Sequence, residues 1–264
     1  MSKNSAMNLE LENKIAIVTG ASRGIGRGIA GSLAEEGCKL VICARGGDAL
    51  EEAADELKSL AADVTSITLD MTDPTSGQTL ADVAVNTYGG IDIFVGNVGG
   101  NRRKPFEETT DEDWAAVLDL NLNTHARCAR AVIPEMRKRG QGSILFISSI
   151  FGREAGGPGL SIYNATKSAL ISMAKIMALE LGSDGIRVNT VAPGSIRFPG
   201  GSWDKRCLED PDEMAVFIKD NLPMGRFGTV KEVADVVAFL SSPRASWISG
   251  ACLNVDGVQS KSLI

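Results

Sequence analysis

Short apolar runs alternate with longer amphipathic segments along the chain. The apolar runs predict seven strands, at 14–19, 39–44, 64–69, 91–95, 143–148, 187–192 and 251–255. Between them, apolar residues recur every three or four positions, which predicts helices near 24–36, 47–62, 75–88, 111–139, 161–182 and 231–241. Strands that alternate with helices favour right-handed crossovers, so the pattern predicts a parallel sheet covered by helices on both faces.

The domain organisation follows from length and composition. The chain has 264 residues, of which 44% are hydrophobic, and a single α/β domain commonly reaches this size. We expect residues 1–10 to form a flexible tail and residues 11–264 to form one domain. Segment 195–221 is long for a connection in a compact domain and contains two glycines and two prolines, which predicts a mobile substrate lid. A capping signal, Thr110 with Asp113, precedes the fourth helix.

Charge and residue usage exclude several functions. A net charge of −6 argues against nucleic-acid binding and against an anionic membrane surface. No apolar run approaches the ~20 residues of a membrane span, and the N-terminus lacks the apolar centre of a signal peptide, so we expect a cytoplasmic protein. The five scattered cysteines indicate buried thiols, and His125 is the one histidine, so no metal site is expected.

A glycine-rich sequence follows the first predicted strand. Gly20, Gly24 and Gly26 lie where that strand passes into a helix. Glycine lets the backbone turn sharply and approach a pyrophosphate, whose charge then lies at the helix N-terminus. The spacing is GxxxGxG, which differs from the usual GxGxxG of dinucleotide-binding folds. A tight turn that needs positive φ is the alternative explanation.

Tyr163 and Lys167 lie four positions apart in a predicted helix, which makes them neighbours on one face. A cation beside a phenol stabilises the phenolate and lowers a pKa that is otherwise near ~10. The pair is therefore a candidate general acid/base. The alternative is an ordinary pair of side chains on a solvated helix face.

Several motifs, in order and spacing, resemble those of the short-chain dehydrogenase/reductase family, of the type with about 250 residues. The likeness covers residues 10–258 and rests on "TGASRGIG" (19–26), "GNVGG" (96–100), Asn121, Ser149, Tyr163 and Lys167. Later segments agree with it, including "VAPGSI" (191–196) and "ISGACLNVDG" (248–257). The resemblance implies a Rossmann-like doubly wound domain with a seven-stranded sheet of order 3-2-1-4-5-6-7. It also implies hydride transfer between a nicotinamide cofactor and a small carbonyl or alcohol substrate.

The resemblance assigns a role to each catalytic candidate. Ser149 would hydrogen-bond the substrate oxygen, and Tyr163 would give that oxygen a proton in reduction or take one in oxidation. Lys167 would lower the pKa of Tyr163 and bind the nicotinamide ribose. Asn121 would bend its helix and hold a water in the proton relay, although an asparagine in a helix can also simply bond locally. Ser148 is an alternative to Ser149 as the catalytic hydroxyl.

The resemblance also implies which residues contact the cofactor. They are Gly20, Ser22, Arg23, Gly24, Ile25, Gly26, Arg45, Asp70, Met71, Asn97, Val98, Gly99, Pro193, Gly194 and Ile196, together with Tyr163 and Lys167.

Cofactor choice depends on the end of the second strand. Arg45 follows this strand with no carboxylate at its tip, and Arg23 adds a cation inside the glycine loop. Arginine suits a 2′-phosphate, whereas an acidic residue would bond the ribose hydroxyl of NAD. We therefore predict a preference for NADP(H), with NAD(H) possible; both arginines could instead stack on adenine or meet solvent. Asp48 is expected to cap a helix that begins near Ala49.

Two departures from the family pattern affect the site. Gly96 replaces the first asparagine of the usual NNAG motif, so the loop after the fourth strand must be supported differently. Phe198 stands where a threonine commonly reaches the nicotinamide carboxamide, and backbone atoms or Ser195 could compensate for it.

Two other functions remain open at this point. One is a dinucleotide-sensing protein without catalysis, although such proteins usually lack the tyrosine or the lysine. The other is a 3-oxoacyl-[acyl-carrier-protein] reductase, for which a basic patch beside the cleft would be expected; segments 101–105 and 137–139 are candidates.

The sequence says less about the identity of the substrate and about the oligomeric state. Phe151, Phe198 and Trp203 indicate apolar contacts in the predicted substrate loops. A substrate carboxylate could meet one of three arginines, which are Arg102, Arg103 and Arg153. Relatives usually form symmetric tetramers, so we expect a homotetramer.

Overall fold

The computed structural model describes residues 8–60 and 62–263. In this part of the chain, seven parallel strands form one sheet in the order β3-β2-β1-β4-β5-β6-β7, which confirms the predicted topology. The strands are β1 (Ile15–Thr19), β2 (Lys39–Ala44), β3 (Val64–Thr68), β4 (Ile93–Gly96), β5 (Gly142–Ile147), β6 (Ile186–Pro193) and β7 (Cys252–Val255).

Helices cover both faces of the sheet. They are α1 (Gly24–Glu35), α2 (Gly47–Ser59), α3 (Ser76–Tyr88), α4 (Asp111–Leu118), α5 (Thr124–Arg139), α6 (Ser161–Leu181), α7 (Ser202–Glu209), α8 (Pro211–Asn221) and α9 (Val230–Ser241). Most predicted helices agree with these bounds within a few residues.

The core has two layers, one on each face of the sheet. Alternate residues of β1 point to opposite sides, so Ala16 and Val18 join one apolar cluster and Ile15 and Ile17 join the other. The first cluster contains residues of α1, α2 and α9, and the second contains residues of α3, α5 and α6. Burial on both faces explains why β1 reads as a continuous apolar run.

The predicted helix 111–139 is interrupted. Thr110 and Asp113 form the expected capping box at its start. A π-helical turn at Asp119–Asn123 then separates α4 from α5 and contains Asn121. Single π-helical turns inside α-helices often occur at functional sites, because they reposition side chains.

Segment 195–221, for which the sequence analysis predicted no helix, contains α7 and α8. Apolar side chains of these helices and of the residues that follow α8 form a separate small cluster. Met214, Leu222 and Phe227 are buried in it, and Trp203 and Phe217 pack against them. The Trp203 and Phe217 rings stack with centroids 4.7 Å apart. The segment is therefore connected to the main domain but has its own local core.

No helix among residues 8–60 and 62–263 is both long and apolar enough to cross a bilayer. All five cysteines are free thiols. Cys38, Cys43 and Cys128 are buried as expected, whereas Cys207 and Cys252 are only half-buried. Of the predicted N-terminal tail, residues 1–7 lie outside the described residues.

Candidate active site

The predicted catalytic residues meet at the carboxyl edge of the sheet, where open α/β folds bind their ligands. Ser149 follows β5, and Tyr163 and Lys167 lie in the first two turns of α6. All three line one cavity of about 920 Å³, together with Pro193 and Gly194 at the end of β6. The structure thus brings together residues from three separate elements.

The Tyr163–Lys167 pair is not a solvated surface pair. Lys167 is only 4% exposed, and its Nζ lies 5.7 Å from the centroid of the Tyr163 ring. The Nζ donates to the carbonyl oxygen of Ile147 at 2.8 Å, which fixes the ammonium at the end of β5. Burial lowers the pKa of Lys167 to about 8. The lysine therefore still carries its charge for most molecules at neutral pH.

The expected lowering of the Tyr163 pKa is wrong as a net effect, because the pKa is raised in the chain alone. Burial raises the pKa of Tyr163, and a hydrogen bond with the Ser149 side chain opposes that rise. Desolvation disfavours the phenolate, and here it outweighs the hydrogen bond from Ser149. Without further positive charge, the tyrosine is therefore a proton donor at neutral pH.

The two serines after β5 have different partners. Ser148 Oγ donates to the carbonyl oxygen of Lys167 at 3.0 Å, so its proton is used within the fold. Ser149 Oγ accepts from the backbone N–H of Phe151 at 3.2 Å, which leaves its own proton available to a ligand or to Tyr163. The geometry favours Ser149 over Ser148 as the hydroxyl that binds substrate.

Asn121 is buried and reaches beyond its own helix. Its Nδ2 donates to Gly100 O at 2.9 Å and to Thr166 Oγ1 at 3.0 Å, and its Oδ1 accepts from Gly100 N at 2.8 Å. A Cβ at Gly99 would lie 3.4 Å from Asn121 Oδ1 and 3.3 Å from Lys167 Nζ. Asn121 therefore ties the loop after β4 to α6, close to Lys167, and it does not merely bond locally.

His125 supports the loop after β4, in place of the asparagine that Gly96 replaces in the family pattern. Its imidazole is fully buried against Phe146, and a Cβ at Gly96 would lie 2.5 Å from His125 Nδ1. His125 Nε2 lies 2.9 Å from Val98 O. Burial lowers the pKa of His125 to about 3, so the ring is neutral and Nε2 carries the proton that Val98 accepts. The small residue at 96 makes room for the ring that holds the loop.

The glycine loop provides a cradle that suits a pyrophosphate. Gly20 and Gly24 have φ values of 66° and 57°, a region that other residues rarely adopt. A Cβ at Gly26 would collide with the carbonyl group of Gly20, so α1 can begin this close to β1 only with glycine at that position. Asn97 Nδ2 donates to Thr19 O at 3.1 Å and to Gly20 O at 3.2 Å, which joins this turn to the loop after β4. The residues present fit a dinucleotide.

A second cavity, of about 440 Å³, lies beside the glycine loop and shares Ile25, Asn97 and Gly99 with the first. Most predicted cofactor residues line it, namely Gly20, Ser22, Arg23, Ile25, Arg45, Asp70, Met71, Asn97, Val98 and Gly99. Four predicted site residues line neither cavity, namely Gly24, Gly26, Asn121 and Ile196. Ile196 is buried in the core, and the two glycines shape the turn.

This second cavity carries exposed cations. Arg23 and Arg45 both line it, and neither forms an ion pair with a carboxylate of residues 8–60 or 62–263. The pKa of Asp70 is lowered mainly by hydrogen bonds from Thr72, with a smaller effect of Arg45. The expectation for Asp48 is wrong: α2 begins at Gly47 after Gly46, so Asp48 lies inside its first turn.

Phe198 lies directly on the glycine loop. A Cβ at Gly24 would be 2.6 Å from the tip of its ring, and Phe198 also lines the second cavity. Ser195 is bonded to the C-terminal segment, with its N–H donating to Gln259 Oε1 at 2.7 Å and its Oγ accepting from Gln259 Nε2 at 2.9 Å.

Several residues of the first cavity were not singled out by sequence reasoning, although Arg206, Phe217 and Asn221 lie within the predicted lid segment 195–221. They are Asn101, Glu154, Arg206, Phe217, Asn221, Gln259 and Lys261. Arg206, Phe217 and Asn221 come from α7 and α8, which were read as a loop. Gln259 and Lys261 follow the last strand, where no motif indicates a return to the site.

Comparisons with known proteins agree with this geometry. The family model described as "Enoyl-(Acyl carrier protein) reductase" matches residues 20–257. The 3-oxoacyl-[acyl-carrier-protein] reductase FabG of Vibrio cholerae is 36% identical over 249 residues, covering 94% of this chain and 98% of that protein.

Two solved structures share the fold. L-sorbose reductase from Gluconobacter frateurii, complexed with NADPH and L-sorbose, has a TM-score of 0.92 and 33% identity, over 97% of this chain and 100% of that one. A 7α-hydroxysteroid dehydrogenase complexed with NADH and 7-oxo glycochenodeoxycholic acid has a TM-score of 0.89 and 33% identity, over 97% and 98% of the two chains.

The parallel sheet, the glycine cradle and the Ser149–Tyr163–Lys167 cavity define a nicotinamide-dependent oxidoreductase. The chain belongs to the short-chain dehydrogenase/reductase family. It is an NAD(P)-dependent dehydrogenase/reductase that acts on alcohol and carbonyl groups.

Proposed function

We propose that the protein reduces a small carbonyl substrate with NADPH, or oxidises the matching alcohol, with Tyr163 as the general acid/base. The observation that carries this proposal is the shared lining: Ser149, Tyr163 and Lys167 face one cavity, and this cavity adjoins the glycine-loop cavity through Ile25 and Asn97. A substrate oxygen at the three polar groups would therefore lie beside a cofactor held by the glycine loop.

The proposed proton chemistry uses this chain's own groups. Ser149 donates a hydrogen bond from its hydroxyl group to the substrate oxygen, keeps its proton, and so orients the carbonyl. Tyr163, which burial keeps protonated, gives its proton to the oxygen as that atom becomes an alkoxide. Lys167 stabilises the resulting phenolate from one helical turn away, and Asn121 holds the loop that keeps Gly99 against the lysine. The cofactor, when bound, supplies or accepts the hydride.

The proposed preference for NADP(H) rests on Arg23 and Arg45. Both are exposed, both line the second cavity, and no acidic residue stands at the tip of β2. Guanidinium groups can donate paired charge-assisted hydrogen bonds to a 2′-phosphate. The L-sorbose reductase complex with NADPH supports NADP(H) as a cofactor of this fold, and the hydroxysteroid dehydrogenase complex supports NADH as the alternative.

A second candidate function is reduction of a 3-oxoacyl group carried by an acyl-carrier protein. The relative from Vibrio cholerae favours it. The predicted basic patches give it little support, because Arg102 and Lys104 are both paired with Asp113. Segment 137–139 ends α5 at the opposite edge of the sheet, where its three cations also meet carboxylates. A silent sensor is disfavoured because both Tyr163 and Lys167 are present, with the buried Lys167 beside the half-buried Tyr163.

We also propose that α7 and α8 move as a lid over the bound substrate. They pack on their own small cluster, which allows them to move as a unit. Limited proteolysis within 197–215 should slow when NADPH is added. Equal cleavage with and without the cofactor would argue against a lid.

Assembly into a homotetramer remains a proposal that follows from the family. Light scattering at micromolar concentration tests it, and a monomer would refute it.

The function itself is tested with a panel of ketones, diketones and alcohols, by following the nicotinamide absorbance with NADPH and with NADH. We expect turnover of at least one carbonyl, faster with NADPH. Tight cofactor binding without turnover of any substrate would instead support the sensor.

A further inference from the structure

The substrate cavity carries an excess of positive charge. Besides Lys167, its lining contains Arg103, Arg206 and Lys261 but one carboxylate, Glu154, among the described residues. This excess runs against the net charge of −6 for the whole chain. Glu154 is already engaged, because its Oε2 accepts from Ser260 Oγ and from Lys261 N, both at 2.9 Å.

The structure separates the arginines that can meet a ligand from those that are used within the fold. Arg102 is paired with Asp113 at 2.9 Å and does not line the cavity. Arg153 donates to Asn254 Oδ1 at 2.7 Å and to Cys252 O at 3.2 Å. Of the three arginines that sequence reasoning considered, Arg103 alone lines the cavity.

Arg103 and Arg206 are both exposed, and neither has a carboxylate partner in the described part of the chain. Arg103 Nε donates to Pro158 O at 3.1 Å, which leaves its two terminal nitrogens for another group. The Arg206 guanidinium lies 5.2 Å from the centroid of the Trp203 ring. Trp203 stacks on Phe217, and both rings line the same cavity. An apolar wall thus leads to two uncompensated guanidinium groups.

We propose that the substrate is anionic: a carbonyl compound with an apolar body that packs on Trp203 and Phe217 and an anionic group that Arg103 and Arg206 bind. This inference rests on the proposed function for the identity of the reacting carbonyl. Guanidinium groups bind carboxylate and phosphate oxygens alike. The anionic group could therefore be the carboxylate of a free oxo acid or the phosphate of a phosphopantetheine thioester.

Binding alone tests the anion site. Quenching of tryptophan fluorescence in the cofactor-free protein compares biphenyl carboxylate with the uncharged biphenyl carboxamide. We expect the carboxylate to bind at least about tenfold more tightly, on the scale of one charge-assisted hydrogen bond. Arg206→Gln and Arg103→Gln should each remove most of that difference, Arg206→Lys should keep part of it, and the control Arg102→Gln should keep all of it. Equal affinity for the two probes in the wild-type protein would overturn the proposal.

Kinetics then distinguish the two sources of the anion. One comparison uses benzoylpropionate and its methyl ester. The other uses acetoacetyl phosphopantetheine and acetoacetyl pantetheine, which lacks the phosphate. A lower KM for benzoylpropionate than for its ester, lost in Arg206→Gln, identifies a carboxylate as the anionic group. A lower KM for the phosphorylated thioester identifies a phosphate. Turnover that ignores charge in both comparisons would overturn the proposal while leaving the reductase function intact. Carboxylate-selective binding without turnover of any carbonyl would support the anion site and contradict the reductase function.

Discussion

His125 Nε2 lies 2.9 Å from the carbonyl oxygen of Val98, and this contact joins α5 to the loop that follows β4. Asn97 and Gly99 in that loop line both cavities. The glycine at 96 leaves the space that the imidazole fills. A buried neutral histidine therefore supports the backbone on which the proposed cofactor would lie.

His125 should make stability depend on pH. In the unfolded chain it titrates near 6.5, but in the folded protein burial lowers its pKa to about 3. Between these values the unfolded state binds one more proton, so this contribution is complete above pH 6.5 and is lost as the pH falls towards 3. The expected slope is ~1.4 kcal/mol per pH unit.

Urea unfolding at a series of pH values from about 7 to about 4 gives the free energy of unfolding of the wild type and of His125→Gln. The difference between the two proteins measures the effect of His125. Glutamine can still donate to Val98 but does not titrate. The free energy of unfolding of the wild type should fall more steeply than that of the variant as the pH is lowered. Parallel curves over the whole range would contradict the assignment of a buried neutral ring.

Phe198 should slow the entry of the cofactor. Its ring fills the space above Gly24, where a pyrophosphate would approach the glycine loop, so the ring must move before the phosphates can bind. Only molecules in which the ring has moved away could bind NADPH, so we expect Phe198→Ala to raise the association rate for NADPH by about threefold or more. Stopped-flow binding measures it, with Phe151→Ala in the substrate cavity as the control. An unchanged or lower rate would exclude gating by this ring.

Arg45 should determine the choice of cofactor. Replacing it by aspartate turns a favourable contact with the 2′-phosphate into a repulsive one and offers the ribose hydroxyl of NAD an acceptor. Arg45→Asp should therefore weaken NADPH relative to NADH by ~2 kcal/mol or more, measured as the ratio of dissociation constants. The control Arg27→Gln removes an arginine of α1 that pairs with Glu52 and Glu56. A wild-type protein that binds NADH tenfold more tightly than NADPH would contradict the prediction.

The parts of the fold that depend on local sequence were predictable. The strands are apolar runs because the sheet is covered on both faces, and the four-residue spacing placed Tyr163 beside Lys167 once a helix was assumed. The sheet order came from resemblance to a family rather than from periodicity.

Features that depend on contacts between distant segments were not predictable. The role of His125 depends on the packing of α5 beneath Gly96, which the sequence does not show. Helices α7 and α8 are stabilised by the packing of Trp203, Phe217 and Phe227. The many charged and turn-forming residues of that segment hide its apolar pattern. Gln259 reaches Ser195 from beyond the last strand. Burial, which no local pattern reports, also reversed the expected direction of the Tyr163 pKa.

The central claim is that Tyr163 transfers the proton, and a pair of matched variants tests it most directly. Tyr163→Phe removes the hydroxyl from the cavity, and Tyr88→Phe removes the hydroxyl of the chain's other tyrosine, which contacts Thr65 away from the site. On the best substrate of the panel, Tyr163→Phe should lose at least ~10²-fold in kcat while its dissociation constant for NADPH stays within about twofold, and Tyr88→Phe should retain its turnover. Near wild-type turnover by Tyr163→Phe would contradict the whole catalytic assignment.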